Sequence, residues 1–497
     1  MFTLYQTAKR SVLTAKVPLT PQFHAYAKLP PSSLAASTMP LVESVALQGK
    51  HLVDFNRTAF FGVQHILKTS IPLFQHLIHT LGANPKNIFL NGKGYSDCEE
   101  AESFLKNNLG IHYFKLASSY VVPGKYQSTL RNHLKKSWEI FIHHIKSLPI
   151  EKIVILDEGG HCFETMPEAL CFKYPMVGIE QTRGGLYSPA TDTLPFPLIE
   201  VASSALKRQL ESPLIIEALM NKLKVLLKNN NWLNQDTVFG VLGNGAIGSH
   251  LTHYLLAQGY PVIAFDENPL SFNGLEWKQP NFYRGKDARE VLMRSRYIFG
   301  CTGKNVLKAR EIFDGVATDK TLISCTSEDK EFHAVLMEIA KHKSVQLQKS
   351  ITNEYITKAG GKITLINNGF PVNFDHSGES VPASQIQLTR GMILGALIQG
   401  ARQAETIKGQ GIINQPPRIM LEPTLQQFIA KQFKSLQEGN TNLARKWPTF
   451  EDLHSIEGQS KGIRKVDSDF INAFTSSKEK IAFEKKEQIH LGKKATL

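Results

Sequence analysis

The hydrophobic pattern of the 497-residue chain alternates short apolar runs of strand length with longer stretches of helical spacing. The clearest unit is an apolar run over Val238–Leu242, a glycine-rich turn, a helical stretch, a Gln258-Gly259-Tyr260 break and a second apolar run over Pro261–Phe265. Elsewhere the spacing predicts a helix over Pro72–Leu81, a strand over Lys86–Leu90 and a helix over Ser96–Asn108 with Ser96 and Asp97 as caps. Ile153–Leu156 reads as a buried strand running into Asp157-Glu158-Gly159-Gly160, and a long helical stretch spans Ser203–Leu227. Tyr297–Gly300 and Thr321–Ser324 are further short strands. Ser380 and Pro382 open a helix with apolar Ile386, Leu388, Met392, Leu394, Leu397 and Ile398. This alternation predicts an α/β fold with open parallel sheets, in two lobes joined by two helical crossovers, the second lobe inserted into the first.

The turn after Leu242 reads Gly243-Asn244-Gly245-Ala246-Ile247-Gly248. Its first glycine allows a tight turn, its second lets backbone approach a pyrophosphate, and its third lets helix pack on strand; the phosphates would sit at the helix N-terminus. The next apolar run ends in Asp266, about 20 residues past the glycines, where a carboxylate accepts both ribose hydroxyls. It would repel a 2′-phosphate, so the expected cofactor is NAD, held by a Rossmann domain. The expected organisation is an N-terminal extension (1–40), the first part of a substrate-binding α/β domain (41–215), a Rossmann NAD-binding domain (216–373), a return helix completing the substrate domain (374–440) and a charged C-terminal tail (441–497).

Composition narrows the remaining classes. With 42% hydrophobic and 20% charged residues the chain has material for full-sized cores. The net charge of +13 is scattered and lacks a recognition-helix or stacking pattern, so no nucleic acid is expected. The longest apolar stretches fall short of the ~20 residues that cross a bilayer. Cys98, Cys162, Cys171, Cys301 and Cys325 form no CxxC, which predicts neither a disulfide frame nor a metal site and suits a reducing, cytoplasmic setting. Residues 1–42 carry Lys9, Arg10, Lys16 and Lys28 without an acidic residue, a pattern shared by transit peptides and merely irregular N-termini. The Lys-rich segment after Arg445 reads as a solvated, partly helical tail.

Several blocks occur in one order: ILDEGG (155–160), GIEQTRGG (178–185), VASSALKRQLES (201–212), the glycine turn, YIFGCTG (297–303) and GKITLINNGFPVN (361–373). In that order the chain, over roughly Leu41–Gln399, resembles the S-adenosylhomocysteine hydrolase family. The resemblance implies a closed interdomain cleft in which bound NAD oxidises a ribose 3′-hydroxyl, a base removes the acidified C4′ proton, a thiol leaves, water adds and hydride returns. It places Lys207 on the catalytic lysine, with a lowered pKa for handling the hydroxyl proton. It puts Asp157 and Glu158 on paired aspartates, with Glu158 at the active site, and Glu211 in place of an aspartate. An i,i+4 ion pair is the plain alternative for Lys207 and Glu211. Thr69, Asp157 and Gln181 fall at substrate positions, and Thr182, Thr302, Gly303 and Asn373 at cofactor positions beside the glycine turn.

Departures from the family concentrate at the substrate. Gln181 stands for a glutamate and cannot act as a base, Arg183 and Gly184 replace two threonines, and Ser212 replaces asparagine. Leu67-Lys68-Thr69-Ser70-Ile71 keeps only the threonine of His-x-Thr-x-Glu, so the carboxylate that reads an adenine amino group is gone. Cys325-Thr326-Ser327-Glu328 and Gly378-Glu379-Ser380 replace two histidine motifs; His376 is a candidate substitute or a loop histidine. HLGKKATL has no counterpart of the family's C-terminal tetramer arm, so a homo-oligomer would form without it. The expectation is an adenosylhomocysteinase-like, NAD-binding hydrolase or oxidoreductase with an altered pocket for a small molecule. The alternative is a non-catalytic NAD-binding regulator; a 2-hydroxyacid dehydrogenase explains the glycine turn but not the other blocks.

Overall fold

The computed structural model describes residues 39–117, 122, 124–228, 232–273, 278–342, 352–374, 378–407, 418–437 and 467–475. Two seven-stranded sheets organise them. The first contains β1 (Thr58–Gln64), β2 (Ile88–Gly92), β3 (His112–Phe114), β4 (Lys152–Asp157), β5 (Met176–Glu180), β6 (Leu198–Glu200) and, after a long excursion of the chain, β14 (Arg418–Met420). All its pairings are parallel, in the order β14-β6-β5-β4-β1-β2-β3. The second contains β7 (Phe239–Leu242), β8 (Val262–Phe265), β9 (Phe282–Arg284), β10 (Tyr297–Gly300), β11 (Lys320–Ser324), β12 (Thr352–Ile356) and β13 (Lys362–Ile366), in the order β12-β13-β11-β10-β7-β8-β9 with only β12 antiparallel. The expected α/β architecture, with a Rossmann-type lobe set into another α/β lobe, is the one observed. Both sheets reverse their strand order beside their first strand, which opens a crevice at the carboxyl ends of β1 and β4 and of β7 and β10.

Period-two alternation sets the cores. In β4, Ile153 and Ile155 face one layer while Val154 and Leu156 face the other. The first layer is aromatic: the helix Tyr126–Ile145 lays Trp138 on Phe61, their ring centroids 3.5 Å apart, with Phe141 at the edge of both. On the opposite face the helices Pro40–Gly49 and Ala383–Thr406 pack together, the latter contributing Leu388, Met392, Leu394 and Leu397. Gly395 lets this helix meet its neighbour, since a Cβ there would lie 2.5 Å from Leu425 Cδ2.

Several element expectations are corrected. Ser96 and Asp97 do not cap a helix: Cys98 precedes the helical residues, while Ser96 Oγ bonds His65 Nδ1 and Asp97 accepts the N–H groups of Lys93, Gly94 and Ile66. Their side chains serve a strand-end loop instead. Within the stretch read as solvated tail, residues 467–475 are docked: Ser468–Phe474 is a helix capped by Asp467, Phe470 and Phe474 are buried, and Arg402 pairs with Asp467 and Asp469. The helix accords with the partly helical reading of this stretch; its sparse apolar residues hide only the surface that buries them. His376 lies outside the described residues. No helix among the described residues is long and apolar enough to cross a membrane.

Trp138→Ala removes the centre of the aromatic layer, and urea unfolding should show a loss of about 3–5 kcal/mol. A loss below about 1 kcal/mol would mean that the helix Tyr126–Ile145 does not depend on that stack.

Candidate functional site

The cofactor half is built by β7, the turn and the helix Ala246–Ala257. Gly243 has φ +95°, and a Cβ there would lie 2.9 Å from the Cys301 carbonyl oxygen; at Gly248 it would lie 1.8 Å from the Gly243 carbonyl oxygen. Those two glycines are therefore demanded by backbone contact. Gly245 differs: nothing lies within 4 Å of its Cβ position. No side chain caps the helix at Gly245, which leaves the first amides of Ala246 and Ile247 facing that open space.

Asp266, at the end of β8, accepts N–H bonds from Asn244 (2.6 Å) and Asn268 (2.8 Å), which fixes the carboxylate over the turn. Asn244 donates to the Ser271 carbonyl, while its own side-chain oxygen is buried without a partner. Beside this carboxylate, Lys304 pairs with Glu267, bringing to the turn a cation from a distant part of the sequence. Thr302 Oγ1 and the Gly303 N–H both bond Glu331, which also holds Thr326. Asn373 is buried farther along, after β13. The open Gly245 cradle, uncapped amides and fixed carboxylate fit a dinucleotide.

The second half lies at the crevice of the first sheet. Glu158, immediately after β4, receives His65 Nε2 at 2.5 Å on one oxygen and Gln181 Nε2 at 2.6 Å on the other. Gln181 also reaches Gln64 Oε1, so the amide that replaces a carboxylate orients Glu158. Lys93, which follows β2 and is fully buried, lies 3.5 Å from Glu158. Phe374, arriving after β13, stacks on the His65 ring with centroids 4.1 Å apart.

Glu328 closes this cluster from the other lobe. Carried beyond β11, it has zero exposure and a φ of +73°, a left-handed conformation disfavoured for a residue with a Cβ. Its carboxylate contacts His161, Gln127, Lys93 (3.4 Å) and Lys330 (2.9 Å). The position that departs from the family's histidine motif thus supplies a carboxylate that ties the two sheets together.

Electrostatics follow from burial and pairing. Burial alone would raise Glu158, but His65, Lys93 and the more distant Lys207 hold it well below the usual carboxylate range. Burial lowers His65 against the pull of Glu158, with Lys93 and Arg390 adding to the fall, so its ring is neutral near pH 7. Glu328 is held low against the cost of burial by His161, Lys93 and Lys330. Lys93, despite burial, is kept charged chiefly by Glu158, with Glu328 adding to it.

Asp157 and Glu180 sit behind the cluster, side by side in register. Asp157 accepts the N–H groups of Glu158, Cys162 and Phe163; Glu180 accepts those of Gly159, Gly160 and Thr182, and the Thr182 hydroxyl. Asp157 therefore shapes the DEGG turn, and Thr182 caps the short helix Arg183–Leu186. Burial and the neighbouring Asp157 push Glu180 up to about 8.

Lys207 Nζ contacts both oxygens of Glu211, at 2.7 and 2.8 Å, so the i,i+4 pairing is present. It occurs in a π-helical turn, Lys207–Glu211, a distortion common at functional sites. Glu211 is buried, and the Lys207 charge adds to those that hold Glu158 low. Thr69 is buried and receives Arg390 Nη2 at 3.4 Å. Sequence reasoning missed His65, Lys93, His161 and Arg390; the legible signals were a lysine at a strand end between glycines and a lone cation within an apolar helix.

No protein-family model matches the chain. Two uncharacterized proteins, from the CDC 1551/Oshkosh and H37Rv strains of Mycobacterium tuberculosis, are each 24% identical to it over 362 residues, 73% of this chain and 67% of theirs. Among solved structures, a 2-hydroxyacid dehydrogenase from Ketogulonicigenium vulgare is similar at 11% identity and TM-score 0.30, over 59% of this chain and 87% of its own. An L-alanine dehydrogenase gives 11% identity and TM-score 0.33 over 76% and 99%. An NAD-dependent formate dehydrogenase from Staphylococcus aureus gives 12% and 0.30 over 63% and 90%. At these levels the likeness bears on neither substrate nor reaction.

Glu328→Ala removes one of the two carboxylates beside the buried Lys93 ammonium and the acceptor of His161 and Gln127, which should cost about 3–5 kcal/mol and raise hydrogen exchange at residues 93–97 and 158–164; unchanged protection would show that the lobes do not depend on this carboxylate. Glu180 has a folded pKa above its ordinary 4.5, so the stability it contributes is complete below about pH 4.5 and lost as pH rises toward about 8. The stability of wild type relative to Glu180→Gln, from urea titrations at several pH values, should therefore fall between pH 5 and 8.

Proposed function

We propose that the chain binds NAD at the Gly243–Gly248 turn and performs oxidoreductase-type chemistry on a small hydroxyl-bearing molecule in the cleft between its two sheets. The supporting observation is physical linkage: the lobe with the open Gly245 cradle and fixed Asp266 also delivers Glu328 into the His65, Lys93 and Glu158 cluster. Bound NAD supplies the hydride acceptor. Asp266 would hold the ribose hydroxyls, and the amides of Ala246 and Ile247 the pyrophosphate, with Thr302, Gly303 and Asn373 nearby.

Oxidation of a hydroxyl releases a proton. His65, neutral and stacked on Phe374, is suited to take it by way of the Ser96 hydroxyl, which passes its own proton to Nδ1 as it receives the substrate's, and Glu158, on Nε2, stabilises the imidazolium that forms. Lys93 and Gln181 hold Glu158 in place. Lys207 and Glu211 form a further ionic pair for substrate oxygens. Loss of the purine-reading carboxylate at Ile71 argues for a substrate other than an ordinary adenine nucleoside.

A second reading, hydrolysis of a thioether nucleoside by adenosylhomocysteinase-type oxidation and elimination, is favoured by the placement of Lys207 within electrostatic reach of Glu158. Free thiol after incubation with S-adenosylhomocysteine would select it; bound NAD without thiol selects the first reading. Denatured protein should release NAD, and Asp266→Ala should weaken NAD binding about 10–100-fold by calorimetry. Absence of NAD both in the purified protein and after its addition would refute both readings.

A further inference from the structure

Arg390, in the middle of the helix Ala383–Thr406, carries a charge that has no carboxylate partner among the described residues. The residue is 5% exposed. Its hydrogen bond is a long one, from Nη2 to the Thr69 hydroxyl at 3.4 Å, and Nε is buried with no acceptor. Among the described residues no carboxylate stands within ion-pairing distance of it. A guanidinium has five N–H donors, and buried charges in proteins are ordinarily paired because desolvating them alone is costly. Burial lowers Arg390 to about 10, while Glu158 and Glu211 act to raise it, so it stays charged at neutral pH. Ser70, next to Thr69, donates its hydroxyl to the His65 carbonyl, so the hydrogen bond to Thr69 sets the guanidinium beside the segment that carries His65, in line with its influence on that ring.

The pairing of the neighbouring cations separates Arg390 from the rest. Lys207 contacts Glu211, Lys93 lies beside Glu158 and Glu328, and Lys330 contacts Glu328. Arg390 has no such contact among the described residues, and it offers a planar fork suited to bidentate contact. Glu158 and Glu211 act on the same guanidinium, so a planar monoanion meets less repulsion there than a dianion.

We infer that Arg390 and Thr69 form a carboxylate-recognition subsite, so that the substrate of the cleft carries a carboxylate monoanion. This rests on reading the cleft as a substrate site, and it names the chemical class that the site takes. It also gives the altered sequence around Thr69 a physical sense, because a buried cation now serves a region where the family resemblance implies a purine-reading carboxylate.

The test is thermal melting of the full chain, with and without NAD, in the presence of short monocarboxylates from acetate to butanoate, their amides, or inorganic phosphate. Carboxylates should raise the melting temperature of wild type, and amides and phosphate should not. Arg390→Met should melt higher than wild type without ligand, because an unpaired buried charge is gone, and should lose the carboxylate effect; Arg390→Lys should retain part of it. Should Arg390→Met not fold, Thr69→Val, which removes only a hydroxyl, should weaken the carboxylate effect. Equal stabilisation by amides, stabilisation by phosphate alone, or an undiminished carboxylate effect in Arg390→Met or Thr69→Val would overturn the proposal. NAD affinity measured on the same proteins separates the two readings: a chain that binds carboxylate through Arg390 but never NAD refutes the cofactor reading and leaves the subsite standing.

Discussion

The buried ammonium of Lys93 is the constraint around which the two lobes are arranged. It is fully buried at the end of β2, and desolvation would drive off its proton were it not flanked by Glu158 and Glu328. One carboxylate comes from the same sheet and the other from the far lobe, so the charge has both partners only when the lobes are together. The left-handed backbone at Glu328 is consistent with that demand: a conformation costing of order 1–3 kcal/mol persists where several strong contacts hold it.

From that constraint the rest of the crevice follows. Lys93 and His65 keep Glu158 ionised, Glu158 and Ser96 fix the His65 ring, and Phe374 covers its face. Asp157 and Glu180, the deeper carboxylates, are spent on the backbone N–H groups of the DEGG and EQT turns. Their contribution is geometric: they fold the strand ends that present Glu158 and Gln181. The replacement of a glutamate by Gln181 is intelligible here, since an amide can donate to Glu158 where a second carboxylate would repel it.

Local patterns are legible wherever a single segment carries its own reason. The Gly243–Gly248 turn, Asp266 and the strands at 153–156, 297–300 and 321–324 are all of this kind, because each depends on periodicity or on backbone contacts within a few tens of residues. The caps expected at Ser96 and Asp97 mislead because polar side chains at a helix start also suit the loop that precedes it, and here the loop wins. The burial of the helix at 468–474 escapes the pattern because its apolar residues pack on a surface formed by distant parts of the chain.

The sequence by itself determined the α/β class and the glycine turn with its acidic strand end, since these follow from residue type and short-range spacing; Glu158, Lys207 and Glu211 entered as candidates through the family resemblance. Tertiary structure alone decided that Glu328 spans the lobes to Lys93 and His161, and that Arg390 is buried beside Thr69 without a carboxylate partner among the described residues. The physical reason is that charge satisfaction in a low-dielectric interior depends on which groups meet across hundreds of residues, and neither periodicity nor composition records that meeting.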